Sequence, residues 1–398
     1  MNLRGFFKNL GAPLATHRDI RYAKTIVQIG GDPSELQPLT GKQMRQAVRN
    51  GGATLVLINS VPIRLREQAK VFLHVRPGTE DAIVLALANS SNDSIAAQKA
   101  GIEASAIDAA RQAIADTEGD VVIMLGHELS NAAQAVVAQL SQSLGGDKRR
   151  ILLHPLPFFN NSVGAHAVGM MDAQTSPGGI LNAAGGVIRA LYMAGGFLPE
   201  HLKGREAALS QLDFLVVQEL FENETTAAAD VVLPAASYAE QDGTFTNNDG
   251  FVQRVRQSIP PLHQSKPDWM ITAQIAKELG LDFGYEMSAS AVFREIGEQV
   301  PAFSGMRYPL LKDETMPVQA KFEVNSTDVS EHLRAIGDHV ESLPDEGDKI
   351  TVTPDVGTEL FRLGGLTEKV GQFRLLAEGN PRPETTAVSP LYQITVGV

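Results

Sequence analysis

Two short stretches gather residue types suited to holding a polar ligand. The first is Gly30-Gly31-Asp32-Pro33, directly after an apolar run, Thr25–Gly30 (TIVQIG), that reads as a strand. Glycines in such a turn let backbone N–H groups approach an anion, and a helix beginning beyond it adds donors. Neither G-x-G-x-x-G nor G-x-x-x-x-G-K-[ST] is present, so a tight strand-to-helix turn without a ligand is the simpler reading. The second stretch is Gly243-Thr244-Phe245-Thr246-Asn247, which reads as a loop. Its hydroxyls and amide suit a polar ligand at the carboxyl ends of strands, and equally a turn satisfied by its own side chains.

Other chemistry is excluded or left without a site. The 398 residues include no cysteine, which removes disulfides, thiolate nucleophiles and thiolate-held iron–sulfur clusters within this chain. His127-Glu128 lacks the second histidine of H-E-x-x-H, and no G-x-S-x-G elbow exists. His332 and His339 are seven apart and can share a helix face, but their acidic and polar neighbours point to a solvated surface rather than a metal. No metal site is expected, and no pair of carboxylates is set apart for acid–base work. The balance of 34 basic against 46 acidic residues, −12 in all, argues against nucleic acid and anionic membrane surfaces. No apolar run approaches the roughly 20 residues of a membrane-spanning helix, and the first 21 residues lack a signal-peptide core. The expectation is a cytoplasmic protein with no direct membrane insertion.

The elements that must position these turns are short apolar runs alternating with helical segments. Strands are predicted at Thr25–Gly30, Ala53–Asn59, Asp120–Gly126, Arg150–His154, Asp213–Gln218 and Asp230–Leu233. These runs are apolar on almost every residue, the pattern of strands covered on both faces in a parallel sheet. Thr79 is placed as the cap of a helix carrying Glu80 and Asp81 in its first turn. Gly101 and Gly145 are placed as left-handed helix ends. Lys266–Leu279 and Ala289–Gln299 read as helices. The segment IVQIGGDPSEL resembles LYMAGGFLPEHL (191–202), and AKVFLHVRPGTE (69–80) resembles ADVVLPAASYAE (229–240) at a similar interval. Matched landmarks in the same order suggest a duplicated half. The expected architecture is therefore α/β: two doubly wound, Rossmann-like halves with mostly parallel sheets, a helical segment and an irregular C-terminal tail. The expected divisions are 1–20 (N-terminal segment), 21–150 (first half), 151–305 (second half with appended helices) and 306–398 (extended C-terminal region).

One long segment carries a resemblance. Glu224-Thr225-Thr226, Ala229-Asp230-Val231-Val232-Leu233-Pro234, Glu240, Gly243-Thr244, Asn247 and Gly250-Phe251-Val252-Gln253 are similar to the molybdopterin oxidoreductase pattern E-T-A-x-x-A-D-V-V-L-P, E-x-x-G-T-x-x-N, G-R-x-Q. Ile29-Gly30-Gly31-Asp32-Pro33 and Arg76-Pro77-Gly78-Thr79 resemble the family as well, and the likeness spans about Tyr22 to Met306 with an echo at 357–365. Within the family, VVQELFENETTAAADVVLPAASYAEQDGTFTN and IRALYMAG look like the C-terminal part of the large peripheral-arm subunit of bacterial NADH–quinone oxidoreductase, respiratory complex I.

The resemblance implies two nucleotide-binding-like halves around a bis-pterin guanine dinucleotide in the active enzymes. It assigns Gly30, Gly31, Asp32, Asn59, Gly195, Gly196, Glu240, Gly243, Thr244 and Asn247 to that cleft. The departures are pointed. Ile58-Asn59-Ser60-Val61 stands where active enzymes tend to have I-D-P-R, Gly195-Gly196-Phe197-Leu198-Pro199 stands at the second glycine turn, and Phe251 replaces an arginine. Charge-assisted partners of a dinucleotide contribute about 1.5–3 kcal/mol each, so losing several implies a vestigial, empty cleft, with Phe197 and Phe251 suited to filling it. The expected role is a redox-inactive structural part of the peripheral electron-input arm of complex I, with no catalytic residue and no cofactor in this chain. Flavin and iron–sulfur clusters are then expected in partner chains of that arm or in an N-terminal region this chain lacks. The alternative is a large-subunit fragment of a molybdenum or tungsten oxidoreductase holding a molybdopterin guanine dinucleotide.

Overall fold

The computed structural model describes residues 3–157, 159–170, 177–195, 206–285, 287–312 and 317–343. The chain forms two compact units. Of the described residues, those within 3–157, Asn248–Gly250 and 322–343 form unit 1, and those within 159–247 and 251–321 form unit 2.

Unit 1 is built on a five-stranded, fully parallel sheet of β1 (Thr25–Ile29), β2 (Thr54–Asn59), β3 (Val71–His74), β4 (Gly119–Leu125) and β5 (Arg149–Pro155), in the order β3-β2-β1-β4-β5. The direction of winding reverses between β1 and β4. Alternate residues of the strands feed two separate cores. Val27, Ile29, Val56, Ile58, Ile123 and Leu125 join one hydrophobic cluster, while Ile26, Leu55, Leu57, Val122 and Met124 join the other. Both faces are therefore apolar and covered, which is why these strands lack in/out alternation. The helices α1 (Arg4–Lys8), α2 (His17–Tyr22), α3 (Pro38–Gly51), α4 (Glu80–Ala88), α5 (Asp93–Ala100), α6 (Ala104–Ala115) and α7 (Asn131–Leu144) also belong to this unit. α4 is buried along its whole described length up to Leu87, including Glu80 and Asp81.

Two cap expectations are corrected. The Thr79 hydroxyl does not cap α4 but donates back to the Arg76 carbonyl (2.6 Å), and the Glu80 carboxylate accepts the Gly78 N–H (3.0 Å). Gly101 ends α5 in the left-handed region (φ 68°), but Gly145 is extended (φ −71°, ψ 177°). A side chain at 145 would overlap the Ser141 carbonyl, so close approach rather than φ calls for glycine there.

The weakening periodicity after Met306 hides a regular helix, Ser330–Ser342, whose Ile336 and Val340 enter the first core of unit 1. Its last turn is held by a buried lysine: Lys99 Nζ donates to the Leu343 carbonyl at 2.5 Å. A cation at a helix C-terminus meets the negative end of the macrodipole. Lys99→Met is expected to speed amide hydrogen exchange across 330–343 and to cost about 1–2 kcal/mol of stability. Unchanged exchange in that segment would show the bond to be dispensable.

Unit 2 repeats the first three strands. β6 (Ala190–Ala194), β7 (Phe214–Glu219) and β8 (Val231–Pro234) are parallel, in the order β6-β7-β8. Each array has its positive-φ glycine directly after the first strand, Gly30 (φ 69°) and Gly195 (φ 82°). The two pairs of similar segments thus occupy equivalent places, the glycine turns after β1 and β6 and the third strands β3 and β8. Leu215, Val217 and Met193 form a small core with Leu181 and Leu209. Helices at Asp268–Glu278 and Ala289–Gln299 follow the two predicted segments, with Pro267 preceding the first and Gly280 (φ 87°) after it.

The stretch expected as a loop is a strand. β9 (Gly243–Thr246) pairs antiparallel with β10 (Phe251–Val255), and β10 with β11 (Val318–Gln319). Thr-Phe-Thr is a good pleated sequence, and Asn-Asn-Asp-Gly supplies the turn that returns the chain. Among the described residues no helix is long and apolar enough to cross a membrane.

Candidate functional site

The carboxyl end of the unit 1 sheet brings together Gly30, Gly31, Asp32 and Asn59. Two successive left-handed glycines (φ 69° and 73°) turn the chain out of β1. Their carbonyls are held from below: buried Gln28 donates to the Gly30 and Gly31 oxygens (3.0 and 2.8 Å), and buried Asn59 donates to the Gly31 oxygen (2.8 Å). The Asn59 Oδ1 accepts the Val61 N–H (2.8 Å), tying the turns after β1 and β2 together. Asn59 is thus a structural clamp in this unit.

With its carbonyl fixed, the Gly31 peptide points its N–H to the β4 side. There it meets a residue that no sequence motif singles out. Both carboxylate oxygens of Glu128 lie 2.9 Å from the Gly31 nitrogen. The other anion acceptor of the turn is Asp32, whose Oδ1 takes the Ser34 N–H (2.9 Å). Burial raises the Asp32 carboxyl above its ordinary range, with the Ser34 N–H opposing. Nearby, burial raises Glu80 to about 7, against a hydrogen bond from Ser60 and with the Glu128 charge adding to the rise. Burial also holds His127 below its ordinary range, so it stays neutral beside Glu128. Three carboxyl groups, of Asp32, Glu80 and Glu128, thus stand about the turn, with the Arg64 charge acting on Asp32 and Arg45 donating to the Ser34 hydroxyl (3.1 Å).

A second polar network in unit 1 unites residues scattered in the sequence. His17 Nδ1 and its backbone N–H meet Asp249 Oδ2 at 2.9 and 3.0 Å, and its Nε2 lies 2.9 Å from the Thr40 hydroxyl. Buried His154 lies with Nδ1 2.8 Å from the Ala15 carbonyl and Nε2 3.0 Å from the Asn248 amide. Those partners assign the proton to Nδ1, and burial pushes the ring down to about 4, so it is neutral. The Asp–His–Thr order resembles a nucleophile relay, but Thr40 is 1% exposed. The network anchors Asn248–Gly250 rather than presenting a hydroxyl.

In unit 2 a crevice at the carboxyl ends of β6 and β7 is lined by Ala194, Gly195, Gln218, Glu219, Leu220, Ala235 and Asp268. A methyl group at Gly195 would meet no atom of the described residues within 4 Å. Gln218 Nε2 donates to Asp268 Oδ1 (2.7 Å), and the Glu219 carboxylate accepts from the Leu220 N–H and the Asn223 amide (2.7 and 3.2 Å). Burial raises Asp268, Gln218 opposes, and the Glu219 charge adds to the rise.

The remaining assigned residues do not line that crevice. Glu240 accepts the Ser237 and Leu262 N–H groups (both 2.8 Å), bonds that hold it below the ordinary carboxylate range. Gly243 and Thr244 are strand residues of β9, and Asn247 Oδ1 accepts the Phe251 N–H (2.9 Å) inside the hairpin turn. Gly196 and Phe197 lie outside the described residues. No group of three or more His, Asp or Glu side chains able to hold a metal occurs among the described residues, His332 and His339 included.

Comparison with known proteins gives this geometry a family. A model described as molybdopterin oxidoreductase matches residues 8–278. A protein of Staphylococcus aureus (strain bovine RF122 / ET3-1) named "Putative formate dehydrogenase" is 26% identical over 377 residues, covering 78% of this chain and 38% of that protein. One of the same name from Staphylococcus haemolyticus (strain JCSC1435) is 41% identical over 130 residues, 32% of this chain and 13% of that protein. The chain thus spans less than two fifths of the first of these relatives. Acetylene hydratase from Pelobacter acetylenicus shares the fold at a TM-score of 0.56 and 14% identity, over 80% of this chain and 55% of that one.

Proposed function

Because the chain belongs to the molybdopterin oxidoreductase family, we propose that it is the dinucleotide-holding part of a molybdenum- or tungsten-dependent oxidoreductase, the group held being a pterin guanine dinucleotide. The relatives named above favour this over a subunit of NADH–quinone oxidoreductase. The observation that carries the reading is the unit 2 crevice, where Gly195, Glu219 and Asp268 gather at strand carboxyl ends. Carboxylates accept the paired N–H donors that a guanine or pterin edge presents, and a glycine, having no side chain, lets a flat ring approach the backbone. Bound there, the metal-carrying pterin would supply the two-electron chemistry. The chain's own residues would hold and orient the base.

Unit 1 favours a second reading. While Glu128 holds the Gly31 N–H, this half leaves no place there for a pyrophosphate, and the expected loss of a gripping charge at Asn59 adds to that. A cofactor-free block in the peripheral arm of complex I, packed beside chains carrying flavin and iron–sulfur clusters on the cytoplasmic side of the membrane, accounts for it. Metal analysis and oxidised-pterin fluorescence on protein from its native host decide between the two. Stoichiometric molybdenum or tungsten with pterin is the expected result. Metal-free, pterin-free protein that co-purifies with flavin and iron–sulfur chains would replace it with the structural role.

A further inference from the structure

The contact between Glu128 and Gly31 sits where the strand order reverses, between β1 and β4. In open α/β sheets that crevice is where ligands bind. Two glycines make room for one carboxylate. A side-chain carbon at Gly30 would stand 2.5 Å from Glu128 Oε2, and one at Gly126 would overlap both that oxygen and the Gly31 nitrogen. Gly31 itself adopts φ 73°, with its carbonyl pinned by Gln28 and Asn59. The turn is shaped around two oxygens placed on one N–H, the arrangement an external anion would need.

We infer that Glu128 is a built-in competitor for the anion place of the glycine turn, a carboxylate latch that excludes a phosphate from the Gly31 amide until it swings away. This goes beyond the reading above, which places the dinucleotide's base in unit 2, and treats the glycine turn after β1 as a separate anion place. The latch has the means to move: its side chain is 29% exposed, and it lies in the loop between β4 and α7 rather than within either element. Its charge also repels what it excludes. His127 Nε2 lies 3.5 Å from Glu128 Oε1, a contact that a swing of the carboxylate to solvent also gives up. Entry of a phosphate therefore costs a charge-assisted bond to Gly31 and brings like charges together unless Glu128 turns to solvent.

The test uses the full chain with inorganic pyrophosphate and guanosine diphosphate as probes. Affinities come from calorimetry and the site from hydrogen exchange of peptides covering residues 29–36. E128Q, which keeps the size and removes the charge, is expected to bind pyrophosphate at least about ten-fold more tightly than the natural chain, with new protection in 29–36. E128A serves in its place if the glutamine variant does not fold. A folded variant that gains no affinity, or gains it without protection at 29–36, overturns the latch. Metal and pterin content of the native protein is a separate measurement. Metal-free protein with a gain in E128Q removes the cofactor reading and keeps the latch, whereas metal-loaded protein without the gain does the reverse.

Discussion

Glu80→Gln is expected to stabilise unit 1 at neutral pH and to leave it unchanged in acid. The Glu80 carboxyl is 2% exposed and lies at the start of the buried helix α4, where burial raises it from 4.5 to about 7. The unfolded chain ionises this group from pH 4.5 upward while the folded chain keeps the proton until about 7. Its contribution is therefore complete below pH 4.5 and lost as pH rises to 7. The glutamine variant, which still accepts the Gly78 N–H, should gain on the order of 3 kcal/mol over the natural chain above pH 7. His154 acts in the opposite direction. Its ring is held near 4 rather than 6.5, so its contribution is complete above 6.5 and lost as pH falls to 4. The two slopes oppose between 4.5 and 6.5, so in the natural chain each offsets part of the other there. Urea unfolding at a series of pH values should show E80Q with a stability that climbs over that window. Parallel curves for the two chains would mean that folding leaves the titration of Glu80 unshifted.

Gly126→Ala is expected to disrupt unit 1, at a cost of about 3 kcal/mol or more. The added methyl would overlap the Glu128 carboxylate, the Gly31 nitrogen and the Gly30 carbonyl carbon, and two of these are backbone atoms. The backbone has little freedom to yield, since the Gly126 N–H donates to the Ile29 carbonyl (2.7 Å) and Leu156 N–H to Leu125 (2.9 Å). Moving Glu128 aside relieves only one overlap. The double variant G126A/E128A should therefore recover only part of the loss in thermal or urea unfolding. Full recovery would place the whole cost on the carboxylate and show the turn to be compliant.

What the sequence could and could not reveal follows from the range of the interactions involved. Four of the five strands of unit 1 were legible because apolar runs without alternation have one common cause, burial on both faces: β1, β2, β4 and β5 fall within a residue or two of the predicted runs, whereas the shorter, half-buried β3 was not among them. The repeat of a strand, a glycine turn and a third strand was legible as similar segments, and β6 to β8 repeat the parallel order of β1 to β3. The hairpin β9–β10 was legible in principle from Thr-Phe-Thr followed by Asn-Asn-Asp-Gly, but its glycine and hydroxyls suit a loop equally well until the partner strand is known.

Local spacing set the glycines of the first turn; it could not say what fills the space they leave. Glu128 is 97 residues from Gly31, and Asp268 is 50 from Gln218. Such pairs meet only because parallel strands bring their carboxyl ends to one edge, and the sequence carries no period linking them. The same reasoning explains Glu80 and His154, ordinary polar residues in the sequence whose shifted titration comes chiefly from burial. Element type is a property of neighbours along the chain. Charge state and the occupant of a turn are properties of neighbours across the sheet, and those were decided by folding.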